Sequence, residues 1–109
     1  MKYAYVSEKF ATARESLMLP HQDGDTKSIA DAFFECSLSL RTLNQDDLDD
    51  GARTSVRKLE ELMDTTGLDD PLGRGLYTIK AERLSIDQKA ELSREIDYLA
   101  SWFDAQSRE

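Results

Sequence analysis

Few residues in this chain have the chemistry of a nucleophile or a transition-metal ligand. His21 is the only histidine and Cys36 the only cysteine among 109 residues. A cysteine–histidine pair would require Cys36, which falls in an apolar helical stripe, to meet an imidazole in a loop. A di-iron centre in a helical bundle needs several histidines or Glu-x-x-His pairs, which this sequence lacks. We therefore predict no catalytic residue, no metal ligand set and no cofactor, and we expect the chain not to be an enzyme.

Carboxylates are abundant, and one group of them resembles a calcium loop. The aspartates of this group are Asp46, Asp47, Asp49 and Asp50. If Gly51 takes the sixth position of an EF-hand loop, Leu48 and Arg57 fall where carboxylate ligands are required, so the calcium loop fails. The aspartates fit the start of a helix better, since negative charge is stabilised at the positive end of the helix dipole. The segment 21–25, with one imidazole and two carboxylates, is not expected to hold a functional metal either.

Aromatic and basic side chains in the second half of the chain form the best candidate for a binding surface. Tyrosine, tryptophan and arginine are enriched at the energetic hot spots of protein interfaces. We expect the segment 74–83 and the facing end of the last helix to form one surface. The predicted partner-binding residues are Arg74, Tyr77, Lys80, Tyr98 and Trp102. The alternative is that Tyr77 and Trp102 simply cover the end of the helical bundle.

Composition excludes several classes of partner. The formal net charge is -8, which opposes binding to duplex phosphates or to an anionic membrane surface. No run of apolar residues approaches the roughly 18 that a membrane span requires, and we expect no secretory signal. A single cysteine allows no intramolecular disulfide, so we expect a reduced thiol and a cytoplasmic location.

Apolar residues recur every three or four positions along most of the chain, which is the spacing of amphipathic helices. The stripes run from Tyr3 to Leu17, from Ile29 to Leu43, from Leu48 to Met63 and from Leu92 to Phe103. The pair Leu19–Pro20 is predicted to end the first helix, because proline disfavours a helical conformation at the residue before it. A loop is predicted over 20–25.

Capping residues predict where the other helices begin and end. Asp25 or Thr26 is expected to cap the second helix, and Gly67 is expected to be the left-handed cap that ends the third. Ser85 and Gln88 have the spacing of a capping box, in which each side chain bonds the backbone amide of the other residue. The last helix is therefore predicted to begin directly after Ser85.

Four main helices with one apolar stripe each can bury those stripes together only as a bundle. We predict an all-α fold: an antiparallel bundle of four main helices, with an irregular crossing and a short extra helix between the third and the fourth. The crossing is a loop to about Gly75, followed by the short helix from Leu76 to Leu84. The length predicts a single domain, residues 1–109.

Three functions agree with these features. The first is a protein–protein interaction module that acts as a homodimer or as part of a complex, without direct nucleic-acid or membrane contact. The second is an acidic, antitoxin-like regulator that occupies a basic surface of its target through the aspartates of segment 46–50. The third is a small-molecule sensor or enzyme with a pocket beneath residues 68–84, since long irregular segments often carry function. We rank the interaction module first, because aromatic and arginine residues are present while ligand sets and nucleophiles are few.

Overall fold

The computed structural model describes residues 2–18 and 24–108, and within them the chain is all-helical. The five α-helices are α1 (Ala4–Leu17), α2 (Asp25–Thr42), α3 (Asp50–Met63), α4 (Leu76–Arg83) and α5 (Ile86–Ser107). A 3-10 turn, Gln45–Asp47, lies between α2 and α3. The predicted all-α fold class is confirmed. The predicted end of the first helix at Leu19–Pro20 and most of the predicted 20–25 loop lie outside the described residues.

The helices pack in a defined set of pairs. α1 packs against α2 and α5, α2 also packs against α4, and α5 also packs against α3. On α5, Asp97 pairs with Arg14 of α1, whereas Glu95 accepts a hydrogen bond from Ser55 of α3. α5 therefore lies between α1 and α3 and keeps one side open. The four-helix antiparallel arrangement itself stays a prediction.

The apolar stripes expected from the sequence form the core. Phe10 of α1 and Phe103 of α5 are fully buried, and their rings stack with centroids 5.3 Å apart. Burying such side chains supplies the main favourable term in folding. The buried stripe residues of the four longer helices are Val6, Phe10 and Ala13; Ile29, Phe33 and Cys36; Ala52, Val56, Leu59, Leu62 and Met63; and Leu92, Ile96, Leu99 and Phe103.

The start of α2 differs from the prediction. Gly24, with φ +91°, occupies the N-cap, and Asp25 is the first helical residue. The Asp25 carboxylate instead accepts a hydrogen bond of 2.8 Å from Lys89 of α5. The prediction that Asp25 or Thr26 caps this helix is therefore wrong, because a tertiary ion pair engages the side chain that local capping would use.

The ends of α3 also differ from the prediction. Leu48 is buried but closes the 3-10 turn, so the helix begins at Asp50 with Asp49 as its N-cap. At the other end, the Asp64 side chain accepts hydrogen bonds from the amide and the hydroxyl of Thr66. These bonds turn the chain directly after Met63. Gly67 does have a positive φ of 81°, but it lies in the turn beyond the helix, so its predicted role as the helix cap is wrong.

The fourth and fifth helices begin where the sequence predicts. α4 spans Leu76–Arg83, and Leu84 is its C-cap. The Ser85 hydroxyl accepts from the Gln88 amide at 3.1 Å, and the Gln88 side chain accepts from the Ser85 amide at 2.8 Å. The predicted capping box is therefore confirmed, and it fixes the start of α5.

Candidate functional site

Trp102 is anchored at the end of α5 by aromatic contacts and one hydrogen bond. Its ring centroid lies 6.0 Å from that of Tyr3 and 5.0 Å from that of Phe103. The indole Nε1–H donates to Oδ2 of Asp49 at 3.0 Å. A half-buried tryptophan whose polar end is satisfied in this way keeps one orientation.

Asp49 links the start of α3 to the end of α5. Its Oδ1 accepts from the Ala52 amide at 2.8 Å, which caps α3, while its Oδ2 accepts from Trp102. The bond from Ala52 is the largest cause that lowers the pKa of Asp49, followed by the bond from Trp102. Since both bonds favour the ionised carboxylate, Asp49 holds the two helices together in its charged form.

Tyr98 lies one turn before Trp102 and rests on the first turn of α3. A Cβ atom built on Gly51 would lie 2.9 Å from the Tyr98 hydroxyl oxygen, so only a glycine permits this approach. The Tyr98 side chain nevertheless remains 42% exposed. The hydroxyl end of Tyr98 thus lies against the backbone at Gly51, and much of the side chain is exposed to solvent.

A surface groove of about 520 Å³ runs beside these two rings. We call its lining the Tyr98 face: Arg94, Asp97, Tyr98, Ser101 and Trp102. It follows the open side of α5. Asp97 is paired with Arg14 at 3.1 Å, whereas Arg94 makes no ion pair with a described residue. The face therefore combines two large rings with an available guanidinium group.

The other three predicted binding residues lie elsewhere. Tyr77 of α4 is half-buried against Phe33, with ring centroids 5.7 Å apart. Arg74 pairs with Glu82. The hydrogen bonds from Thr66 are the largest cause that lowers the pKa of Asp64, at the end of α3, and the nearby charge of Lys80 makes a smaller contribution. Tyr77 therefore serves largely as packing, and Arg74 has an ion-pair partner within the chain, whereas Lys80 makes no ion pair with a described residue.

The single surface expected from the sequence is divided in two. Tyr98 and Trp102 contact residues 49–51 at the beginning of α3, whereas Tyr77 and Lys80 lie beside residues 63–65 at its end. A helix of 14 residues separates these two places by about 20 Å. The expectation of one continuous surface is wrong, because α3 lies between its two parts.

The irregular crossing before α4 is organised by one carboxylate. Asp70 accepts from the amides of Arg74 and Gly75, each at 2.7 Å, and its carbonyl accepts from Gly73 at 3.3 Å. A cleft of about 260 Å³ lies beside it, and Leu72 on its rim is 81% exposed. The crossing is thus a loop held by the hydrogen bonds of Asp70, with a small cleft beside it. A small-molecule site beneath residues 68–84 would have to use this cleft.

The acidic segment 46–50 is partly engaged within the protein. Asp49 caps α3 and bonds Trp102, Asp50 pairs with Arg53 at 3.3 Å, and Asp47 lies 3.9 Å from the Lys2 ammonium group. Each internal partner reduces the negative charge that a basic target would meet. The main role of segment 46–50 is therefore to begin α3 and to make contacts within the protein.

The remaining chemical candidates are accounted for where the structure describes them. Cys36 is buried, and burial followed by the nearby charge of Glu35 raises the pKa of its thiol. A thiol in this environment stays protonated at neutral pH. His21, considered above as a possible ligand, lies outside the described residues. Within 2–18 and 24–108, no three metal-binding side chains are grouped to hold an ion, and no helix is long and apolar enough to cross a membrane.

No protein-family model, curated protein or solved structure matches this chain. The candidate site is therefore defined by its own geometry alone.

Three residues that form or support the Tyr98 face, Gly51, Asp49 and Arg94, were not among the predicted binding residues. Gly51 is a poor helix former in the first turn of α3, and such a glycine indicates a close approach by another group. Asp49 precedes the helix, where an N-cap is expected. Arg94 carries no local signal, because its role depends on which side of α5 stays open.

Proposed function

We propose that this protein is an interaction module that binds a protein partner through the Tyr98 face. The observation that carries the proposal is the exposed Tyr98 ring, held on Gly51 beside an anchored Trp102. The proposed role is binding rather than catalysis. The lone buried Cys36 suits a reducing compartment, and we place the module in the cytoplasm.

Preorganisation is the physical reason why this face favours binding. A side chain that is already ordered loses little conformational entropy when a partner docks, so more of its contact energy appears as affinity. The hydrogen bond to Asp49 orients Trp102, and the close approach of the Tyr98 hydroxyl to Gly51 restricts the phenol ring on that side. Tyrosine and tryptophan also bury a large area for few rotatable bonds.

The local charge also favours the Tyr98 face as the binding surface. The chain as a whole carries a net charge of -8, yet the Tyr98 face contains Arg94, which pairs with no described residue, and Asp97, which is paired with Arg14. Its charge is thus close to balanced or slightly positive. Like-charge repulsion that opposes binding elsewhere on the surface is therefore weak here.

The experiment compares two exposed tyrosines. Tyr98 is 42% exposed and Tyr5, on α1, is 46% exposed, so Tyr5→Ala is a matched control for Tyr98→Ala. Tagged wild type and both variants are expressed in the native cell, cross-linked and purified, and the co-purifying chains are quantified by mass spectrometry. We expect Tyr98→Ala to reduce a specific partner about tenfold or more, which corresponds to about 1.4 kcal/mol at a hot spot.

Circular dichroism must show the same helicity in all three proteins, since the comparison requires folded chains. Equal recovery of every partner with Tyr98→Ala and with Tyr5→Ala would contradict the proposal. Loss of a partner only with Tyr5→Ala would move the interaction to the α1–α2 side.

A further inference from the structure

We infer that one partner of the Tyr98 face is a second copy of this chain, with the two α5 helices paired antiparallel about a two-fold axis. The inference rests on the proposed function and specifies the partner. The supporting observation is the order of residues along the open side of α5. When a second α5 helix runs antiparallel to the first, residues of complementary charge and size face each other.

The open side of α5 bears one row of exposed residues. At 3.6 residues per turn they fall within a sector of about 60°. The residues of this outward row are Asp87, Ala90, Arg94, Ser101, Ala105 and Arg108. Tyr98 lies beside the middle of the row, and α1 and α3 contact the flanks of α5 rather than this side.

The outward row of α5 is complementary to the same row of an antiparallel second copy. If the two-fold axis passes between Asp97 and Tyr98, Asp87 of one copy lies opposite Arg108 of the other at both ends of the contact. Ala90 then lies opposite Ala105, which allows the two backbones to approach closely. Antiparallel helices also place their dipoles in the favourable orientation. The charges of the end residues, the small size of the facing alanines and the direction of the helix dipoles therefore all favour this one register.

The middle of the contact brings in the Tyr98 face. In this register Arg94 of one copy lies opposite Ser101 of the other and level with Trp102, within reach of the indole face for a cation–π contact. The two Tyr98 rings meet across the two-fold axis, on the same side of the plane that contains the two helix axes. Hot-spot residues thus occupy the centre, and charged pairs occupy the rim.

The charge of the row explains why copies would meet here. The row contains one acidic and two basic residues, of which Arg108 also pairs with Asp104 of its own helix at 2.8 Å, whereas the whole chain carries -8. Two copies that meet at this row therefore repel each other less than the net charge of the whole chain would imply. A single pair of helices gives a contact at the small end of the stable range, about 1,200 Å² in total, so we expect a micromolar dimer.

Site-directed cross-linking tests the register. Ala90→Cys and Ala105→Cys are prepared separately in the full chain, and the native Cys36 does not compete because it is buried. In the paired helices residue 90 faces residue 105, but the two copies of residue 90 are 15 positions apart along the axis, about 22 Å. A disulfide requires Cα atoms within about 7 Å.

Diamide oxidation of an equal mixture is expected to yield at least tenfold more linked dimer than either variant alone. Equal yields of linked dimer from the two single variants and from their mixture would overturn the pairing. So would a mixture that gives no more linked dimer than the same mixture prepared with Tyr98→Ala in both variants. Exposed alanines are used so that folding is preserved, and circular dichroism checks this.

Charge reversal supplies an independent readout. Asp87→Arg and Arg108→Asp are each expected to raise the dimer dissociation constant about fivefold, measured by analytical ultracentrifugation, and the double variant is expected to restore it. No recovery in the double variant, or a wild type that stays monomeric at all concentrations, would overturn the inference. The proposed function would survive that result if capture of another protein still depended on Tyr98.

Discussion

Trp102 and Asp49, 53 positions apart in sequence, are joined by a hydrogen bond of 3.0 Å from the indole nitrogen to the carboxylate. The same carboxylate caps α3 through the Ala52 amide. One side chain thus fixes both the start of a helix and the orientation of the largest ring on the candidate binding surface.

Two substitutions of Asp49 separate these roles. Asp49→Asn keeps an acceptor for the Ala52 amide but loses the acceptor for Trp102, since an amide nitrogen cannot accept. We expect near wild-type stability with altered emission from the single tryptophan. Asp49→Ala loses both bonds and is expected to lower the urea midpoint as well. Equal stability of the alanine and asparagine variants would show that the cap contributes nothing.

Acid titration follows from the same contacts. The pKa of Asp49 is lowered below its usual 3.8, first by the Ala52 amide and then by Trp102. A carboxyl with a lower pKa in the folded state stabilises the fold above the unfolded pKa, and this contribution is lost as pH falls through the folded pKa. We expect carboxyl NMR to show Asp49 titrating below 3.8, with tryptophan emission changing in the same acidic range. Titration at or above 3.8 would contradict the two hydrogen bonds.

Gly51→Ala tests the support beneath Tyr98. The added methyl would lie 2.9 Å from the Tyr98 hydroxyl oxygen, so the ring must move, while alanine is the better helix former by about 1 kcal/mol. We expect the free energy of unfolding to change by no more than about 1 kcal/mol, in either direction, and association through the Tyr98 face to weaken. Chemical denaturation and tyrosine ring NMR provide the two measurements. An unchanged Tyr98 signal would show that the contact is not made.

Asp70→Ala tests the staple of the crossing loop. Loss of the two bonds from the Arg74 and Gly75 amides is expected to cost about 1–2 kcal/mol of stability and to speed hydrogen exchange at those amides. Asp69→Ala is the matched control, because the neighbouring aspartate is exposed and makes neither bond. Equal exchange in both variants would argue against the staple.

Local sequence patterns predicted the elements well because their causes are local. The Ser85–Gln88 capping box spans four residues, and the helical stripes through Phe10 and Phe103 need only their own periodicity. The cap of α2 was mispredicted where a distant group intervened, since Lys89 engages the Asp25 carboxylate.

Only part of the candidate site could be predicted, because the rest depends on contacts between residues that are distant in sequence. Tyr98 and Trp102 stand out by residue type and by their spacing of four. Their supports, Asp49 and Gly51, come from a helix about fifty positions earlier, and no periodicity reports such a contact. The separation of Tyr77 from Trp102 likewise depends on α3 lying between them.

Binding through the Tyr98 face is best tested by native mass spectrometry of wild type, Tyr98→Ala and Tyr5→Ala over a range of concentrations. We expect wild type and Tyr5→Ala to form the same dimer, or to retain the same co-purified protein, and Tyr98→Ala to be a bare monomer. A complex that persists unchanged in Tyr98→Ala would contradict binding through the Tyr98 face, and a wild type that is a bare monomer throughout would contradict the dimer.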